Sequence, residues 1–187
     1  MVEWLIATGA DVNYASPRTN GMTLVCVAAE IGHVDMLEWL IGAGADVNTA
    51  PADTGDTPLL VAAQNGYVHA VHCLLAAPEV NINLACTDID ATPLSVAAQN
   101  SHTDVVVALL AAPDVDVNLA RNSGATPLLV AAGKGHLCVV EQLIAAPGVD
   151  VNRARRNGGT PLSIALARGH ADVAQKLRAA GATEPHV

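Results

Sequence analysis

The chain has 187 residues and a formal net charge of −9, and 51% of its residues are hydrophobic although only two are Trp, two are Tyr and none is Phe. This length suits one globular domain or one modest repeat array, and a core without bulky aromatic side chains favours a thin stack of short helices. No apolar run approaches the roughly 18 residues of a membrane-spanning helix, which argues against a membrane partner.

The charge is unevenly distributed along the sequence. Residues 1–120 contain 14 acidic residues and one basic residue, a net charge of −13, whereas residues 121–187 contain 4 acidic and 8 basic residues, a net charge of +4. An acidic surface repels phosphate backbones, so nucleic acid is not expected as a partner. The four cysteines lack CxxC spacing and the N-terminus lacks the features of a secretory signal, which predicts an intracellular, cytoplasmic protein.

One short motif recurs along the chain. Thr-Pro-Leu begins at Thr57, Thr92, Thr126 and Thr160, and a degenerate Thr-Leu-Val copy begins at Thr23. The steps between these threonines are 34, 35, 34 and 34 residues, and a fixed period of this length indicates stacked supersecondary units. The sequence predicts a single array over residues 1–187, with units at 1–22, 23–56, 57–91, 92–125, 126–159 and 160–187.

The array is predicted to begin with an incomplete unit. Trp4 aligns with Trp39, so residues 1–22 would start inside a second helix and lack a first one. Apolar side chains left partly uncovered forgo roughly 1.5–3 kcal/mol each, and those in question are Val2, Leu5 and Ile6. We therefore expect either that the chain is a fragment of a longer array or that this end self-associates.

Residues 57–91 illustrate one complete unit. Thr57 is predicted to cap a short helix that Pro58 opens and Asn65-Gly66 ends. A second helix follows, and the polar stretch 79–91 is long enough for a projecting hairpin loop. Two such helices cannot bury an apolar face alone, so stacked copies must bury it jointly.

The final unit is predicted to be a terminal cap. Its second helix carries polar and charged residues where earlier copies have mostly Val or Leu, namely Gln175, Lys176 and Arg178. A polar outer face is what the end of a repeat stack requires, because no further copy covers it.

These units resemble the ankyrin repeat from the first residues to Ala182. The Gly-His element of that family stands at Gly32-His33, Gly135-His136 and Gly169-His170, and its Asp-Val-Asn element stands at Asp11–Asn13, Asp46–Asn48, Asp116–Asn118 and Asp150–Asn152. The resemblance implies an all-α ankyrin-repeat solenoid of stacked helix-turn-helix units with projecting hairpin loops. It also implies that the asparagines could be hydroxylated; the alternative is that they make turn hydrogen bonds only.

No catalytic, cofactor or metal site is predicted. The sequence contains no GxSxG, HExxH, P-loop or Rossmann fingerprint. Asp88 and Asp90 are expected in a solvated loop, whereas a catalytic carboxylate pair needs a concave pocket that excludes water. His69 and His72 lie beside Cys73, but a third oriented ligand is lacking. Four other histidines recur at one repeat position, which predicts a role in the turn between helices: His33, His102, His136 and His170.

Partner recognition is predicted at positions that differ between copies, because positions shared by every copy maintain the stack. In the ankyrin family the turn before each Thr and the end of each first helix line the concave groove and the loop tips, and the resemblance implies the same here. The candidate partner-binding residues are Asp53, Thr54, Asp56, Gln64, Asn65, Asp88, Ile89, Asp90, Gln99, Asn100, Ser123, Lys134, Arg156 and Arg168.

The chain is therefore predicted to be a non-enzymatic interaction module that binds a protein or peptide. A partner with a basic stretch would face the acidic N-terminal two-thirds of the array, and an acidic tail would face the basic remainder. One alternative is a regulatory or targeting segment of a larger enzyme or channel whose active part lies outside this chain. A second alternative is a structural spacer with no ligand of its own.

Overall fold

The computed structural model describes residues 9–183, and within them the chain forms ten α-helices and no β-strand. The helices are α1 (Leu24–Glu30), α2 (Val34–Gly42), α3 (Pro58–Asn65), α4 (Val68–Leu75), α5 (Pro93–Gln99), α6 (Thr103–Leu110), α7 (Pro127–Lys134), α8 (Leu137–Ala145), α9 (Pro161–Ala167) and α10 (Ala171–Ala179). A 3-10 turn, Pro17–Thr19, precedes them. The predicted all-α fold of short helices is confirmed.

The helices form two layers. Each odd-numbered helix packs against the even-numbered helix that follows it and against the next odd-numbered helix, and the even-numbered helices stack on one another in the same order. One continuous apolar cluster runs between the layers from Val25 to Ala182 and consists mainly of Leu, Val and Ala. The predicted stack with a shared apolar seam is therefore confirmed.

A threonine caps each odd-numbered helix. The Thr57 hydroxyl accepts a hydrogen bond from the amide of Leu60 at 3.2 Å, and Thr23, Thr92, Thr126 and Thr160 make the equivalent bond. These threonines are buried, so the hydroxyl satisfies an amide that water does not reach. Four of the five helices then begin with Pro, as predicted, because the first helical position needs no N–H.

The histidines between paired helices join consecutive copies. The Nε2 atom of His102 donates to the carbonyl of Gln64 at 2.9 Å, and that of His136 donates to the carbonyl of Gln99 at 3.0 Å. His33, in the unit 23–56, instead accepts from the amide of Met36 at 3.4 Å through Nδ1. The predicted structural role of these histidines is confirmed.

The asparagines of the Asp-Val-Asn elements do more than close their own turns. The Nδ2 atom of Asn48 donates to the carbonyl of Glu79 at 2.7 Å, and its Oδ1 atom accepts from the amide of Asn81 at 2.7 Å. The alternative of turn hydrogen bonds only is too narrow, because each bridging asparagine connects two successive connecting loops through its side-chain amide. The same donor bond is made by Asn83, Asn118 and Asn152, and Oδ1 of Asn13 accepts from the amide of Asp46 at 2.8 Å. Hydroxylation of these asparagines stays a prediction.

Between residues 9 and 183 the connecting loops contain no β-strand and so form no regular β-hairpin. In the loop before α5 one backbone bond, from the Cys86 amide to the Ala91 carbonyl at 3.1 Å, closes the turn. Adjacent loop tips are also joined, since the Thr87 amide donates to the Thr54 carbonyl at 3.0 Å. The predicted exposure of Val2, Leu5 and Ile6, their self-association and the alignment of Trp4 concern positions outside the described residues.

Candidate partner-binding groove

The predicted partner-binding residues lie on one surface, formed by the odd-numbered helices and the loop that precedes each of them. We call this surface the groove. Twelve of the fourteen predicted residues are exposed, and Asp56 and Gln99 are half-buried. The structure brings seven of them into two clefts, with Asp53, Thr54, Asp56, Gln64 and Asn65 in one and Lys134 and Arg168 in the other.

The first of these, the acidic cleft, has a volume of about 300 Å³. Carboxylates of Glu30, Asp53 and Asp56 line it together with the apolar side chains of Met22 and Val61. Its remaining lining residues are Asn20, Cys26, Pro51, Thr54, Gln64 and Asn65, so no basic residue is among the described residues that line it. The cleft combines an apolar wall with uncompensated negative charge.

The electrostatics of the cleft are clearest at Asp56. Burial raises the pKa of this carboxyl, a hydrogen bond with Thr54 opposes the rise, and the negative charges of Asp88 and Asp53 add to it. Repulsion between neighbouring carboxylates of this kind is relieved when a cation enters.

Local hydrogen bonds hold the rim of the acidic cleft in place. Asp53 accepts from the side-chain amide of Asn20 at 2.7 Å and from the backbone amide of Thr54 at 3.0 Å. The hydroxyl of Thr54 in turn accepts from the amide of Asp56 at 3.2 Å. The carboxylates therefore belong to an ordered turn, which lowers the entropy lost when a partner binds.

Arg121 lies across α5 in the middle of the groove, and the sequence analysis missed it. Its Nε atom donates to the hydroxyl of Ser95 at 2.7 Å, Nη1 to the amide oxygen of Gln99 at 2.8 Å, and Nη2 to the Ser95 carbonyl at 3.3 Å. Burial lowers the pKa of the guanidinium, and the nearby Cys86 and Asp88 oppose this change. Gln99, predicted to contact a partner, is thus engaged within the chain.

The loop before α5 presents a fixed carboxylate and an exposed apolar side chain. Asp88 accepts from the Cys86 thiol at 3.0 Å and from the Ile89 amide at 2.7 Å, and these bonds lower the pKa of its carboxyl. Burial, followed by the bond to Asp88, raises the pKa of the Cys86 thiol. Ile89 is 43% exposed and Asp90 has a φ of 50°, so a side chain available for contact stands at the tip of this loop.

Three other predicted contact residues also serve the stack. The side-chain amide of Asn65 donates to the Glu30 carbonyl at 3.3 Å, and that of Asn100 donates to the Gln64 carbonyl at 2.9 Å. Arg168 makes the corresponding bond in the last copy, to the carbonyl of Gly133. These side chains join the ends of consecutive odd-numbered helices, so each has a structural role whether or not it meets a partner.

The second, basic cleft lies between α7, α9 and the loop before α9 and has a volume of about 170 Å³. Its cations are Lys134, Arg155 and Arg168, of which the sequence analysis missed Arg155. The Nη1 atom of Arg168 donates to the Gly133 carbonyl at 2.6 Å. Ser123 and Arg156 lie at the tips of two adjacent loops beside this cleft. The backbone amide of Arg156 donates to the carbonyl of Ser123 at 3.1 Å.

The candidate metal ligands do not form a site in the described part of the chain. His69 and His72 are exposed on α4 and Cys73 is half-buried there, and no group of three His, Cys, Asp or Glu side chains within residues 9–183 is arranged to hold a metal ion. Cys138 is exposed, as predicted, and all four cysteines are free thiols. None of the helices between residues 9 and 183 is long and apolar enough to cross a bilayer.

A family model described as ankyrin repeats (3 copies) matches residues 1–88, 27–119, 65–155 and 94–185, so the overlapping matches cover nearly the whole chain. No curated protein matches the sequence significantly.

Proposed function

Because the chain belongs to the ankyrin-repeat family, whose repeats are generally protein–protein interaction modules and typically non-catalytic, we propose that it is a non-enzymatic module that binds a protein or peptide along the groove. The acidic cleft is the observation that carries this proposal. It is a concave site of about 300 Å³ with three carboxylates and an apolar wall, and it needs a cationic occupant to balance its charge.

A lysine or arginine side chain of the partner matches both properties of the acidic cleft. Its methylene groups would pack against Met22 and Val61, and its cationic end would reach the carboxylates of Glu30 and Asp56. Long basic side chains commonly bury their stems in this way while the charge stays near water. The partner is therefore a polypeptide with a basic stretch facing the acidic part of the array.

Arg121 limits how far that basic stretch extends. Its guanidinium covers α5 and places a fixed positive charge in the groove beyond the acidic cleft. A second cation of the partner would be repelled there, whereas an apolar or acidic residue would not. The groove thus favours a partner whose basic residues are confined to one end of the bound segment.

The proposal can be tested by selecting peptides from a random displayed library against the wild-type chain. We expect the selected peptides to be enriched in Lys and Arg and to lose affinity about tenfold or more when the three cleft carboxylates are neutralised (Glu30→Gln, Asp53→Asn, Asp56→Asn). A matched control neutralises three exposed acids away from the cleft (Glu38→Gln, Glu79→Gln, Asp114→Asn).

Two results would contradict the proposal. Peptides that bind the cleft variant and the control variant equally well, or whose affinity does not fall with rising salt, would exclude the acidic cleft as the contact site. A selection that yields no groove-binding peptide at all would exclude the more general role as a peptide-binding module.

A further inference from the structure

Arg121 and Arg155 occupy the same place in successive copies. Each follows a bridging asparagine by three residues, Asn118 in one case and Asn152 in the other. The backbone amide of Arg121 donates to the Ala125 carbonyl at 3.0 Å, and that of Arg155 makes the equivalent bond to Gly159 at 3.0 Å. Both side chains therefore start from the same turn and extend over the odd-numbered helix of the preceding copy.

The helices beneath these two arginines offer different partners. On α5, Ser95 and Gln99 supply three oxygen acceptors, and Arg121 uses all of them. The residues at the same distances from the capping threonine of α7 are Leu129 and Gly133, whose side chains have no acceptor. Within residues 9–183 the Arg155 guanidinium makes no hydrogen bond, and its Nε atom is buried without a partner. Unpaired buried donors are rare in native proteins and mark sites that need an explanation.

The same glycine that removes an acceptor also lines the basic cleft. A Cβ atom at position 133 would lie 3.0 Å from Cγ2 of Ile164 and 3.4 Å from Nη1 of Arg168, so a side chain here would crowd two residues that line the cleft. Earlier copies carry Glu30, Gln64 and Gln99 at this position. The acidic cleft lies at the equivalent place beside Glu30, so what distinguishes the basic cleft is its charge: its lining residues include three cations and no acid.

From this geometry we propose that the basic cleft is a carboxylate-binding subsite, which takes an Asp or Glu side chain of the bound polypeptide. The proposal rests on the proposed function, because it names the chemistry of the partner at the far end of the same groove. A planar guanidinium binds a carboxylate through two parallel hydrogen bonds. Leu129 and Ile164 line the cleft and suit the methylene groups of the incoming side chain.

Arg155 rather than Arg121 is the residue that recognises the carboxylate. Arg121 would have to break three hydrogen bonds to turn toward a ligand, whereas Arg155 lines the cleft and has no hydrogen bond within residues 9–183 to break. Lys134 stands exposed at the rim and adds attraction for an anion, and Arg168 keeps one nitrogen on the Gly133 carbonyl while its other nitrogens stay available.

The test uses the full chain labelled with ¹⁵N and follows the Nε–Hε signal of Arg155 by NMR. The probes are acetyl-Ala-Glu-Ala-amide, the same peptide with Gln in place of Glu, and the same peptide with phosphoserine. We expect a saturable shift of the Arg155 signal and of the Gly133 and Lys134 amides with the Glu peptide and none with the Gln peptide. Arg155→Gln should weaken binding about tenfold or more, and Lys134→Gln should weaken it by a smaller factor.

Arg153→Gln is the matched control, since Arg153 is exposed, lies two residues away and does not line the cleft. The proposal is overturned if the Glu peptide gives no saturable shift, if Arg155→Gln and Arg153→Gln bind it equally, or if only the phosphoserine peptide binds. Lys134→Gln keeps the test decisive even if Arg155→Gln unfolds, because an exposed rim lysine is dispensable for folding. If library-selected basic peptides still bind at the acidic cleft, the proposed function stands although this inference fails.

Discussion

The side-chain amide of Asn83 donates to the backbone carbonyl of Asp114 at 2.7 Å, across a separation of 31 residues. The other side-chain atom, Oδ1, accepts from the backbone amide of Asp116 at 2.9 Å. One residue thus satisfies a donor and an acceptor in the next connecting loop, and the same pair of bonds recurs at Asn48, Asn118 and Asn152. These side-chain bonds, together with backbone bonds such as that from the Thr87 amide to the Thr54 carbonyl, hold the loops in register with one another.

Replacing Asn83 should therefore weaken the junction between two copies. Asn83→Ala leaves one carbonyl and one amide of the next loop without a protein partner, and we expect the free energy of unfolding to fall by about 1–3 kcal/mol. Asn83→Asp keeps an acceptor for the Asp116 amide and loses only the donor, so it should cost less. Urea unfolding of the three proteins measures both values, and equal losses for Ala and Asp would contradict this account.

The turn between paired helices offers a second comparison, between two glycines with the same backbone conformation. Gly135 has a φ of 78° and Gly169 a φ of 79°. A Cβ atom at Gly135 would lie 2.6 Å from Nδ1 of His170, whereas one at Gly169 would meet nothing within 4 Å. The two positions share the backbone strain of a left-handed residue and differ only in contact with the next copy.

Gly169→Ala should thus cost about 1–2 kcal/mol of stability, the usual penalty of an L residue in the left-handed region. Gly135→Ala should cost more, because it also displaces His170 from the Gly133 carbonyl, which its Nε2 atom contacts at 3.3 Å. Thermal and urea unfolding measure the difference. A Gly135→Ala protein as stable as Gly169→Ala would show that the histidine contact contributes nothing.

Local features of this fold were predictable from the sequence. A threonine cap such as Thr92 depends on residues within one turn, and the period of the motif fixes how copies stack. The bond from Arg121 to Ser95 joins residues 26 positions apart, and nothing in the local sequence of either one indicates it. Aligning the copies by their asparagines would have placed Arg121 and Arg155 at one position and shown the missing acceptors on α7.

The predicted contact residues fall into two groups, those that line a cleft and those that are hydrogen-bonded within the chain, and the neighbouring copy decides which. Asp53 and Lys134 line clefts because their copies have particular side chains at neighbouring positions. Gln99 and Asn100 occupy equivalent groove positions, but each is hydrogen-bonded within the chain. Variation between copies therefore selected residues that share one surface, whose part in binding stays a prediction, whereas the contacts of each side chain depend on which partners the adjacent copy supplies.

The carboxyl groups of Asp56 and Asp88 should affect stability in opposite directions as the pH changes. The folded state raises the pKa of Asp56 above its ordinary value of 3.8, mainly by burial, so the unfolded chain loses this proton first. Stability from this group falls as the pH rises from 3.8 to the folded pKa and is then constant. Asp56→Asn should consequently be more stable than the wild type near neutral pH, and the gain should disappear below pH 3.8.

Asp88 provides the contrast, because bonds from Cys86 and Ile89 lower the pKa of its carboxyl in the folded state. The stability that the Asp88 carboxylate contributes is fully present above pH 3.8 and is lost as the pH falls through the folded pKa. Asp88→Asn should therefore be less stable than the wild type at neutral pH. Chemical unfolding of both variants across the acidic and neutral range measures the signs, and two variants that change in the same direction would contradict the assignment.

The two groove arginines should respond differently to one substitution. Arg121→Gln removes the donors that satisfy Ser95 and Gln99 in a partly buried setting. Hydrogen bonds from a charged group are worth about 1.5–3 kcal/mol, so we expect the free energy of unfolding to fall by about this amount. Arg155→Gln removes a guanidinium that makes no hydrogen bond within residues 9–183 and relieves a buried unpaired Nε atom, so stability should change by no more than about 0.5 kcal/mol. Urea unfolding at one pH and salt concentration compares the pair directly, since both variants lose one positive charge from equivalent positions. A large loss in both would mean that Arg155 is held by the fold as firmly as Arg121 and is not available to a ligand. A loss confined to Arg121→Gln would instead separate an arginine that stabilises the stack from one that the stack leaves available for recognition.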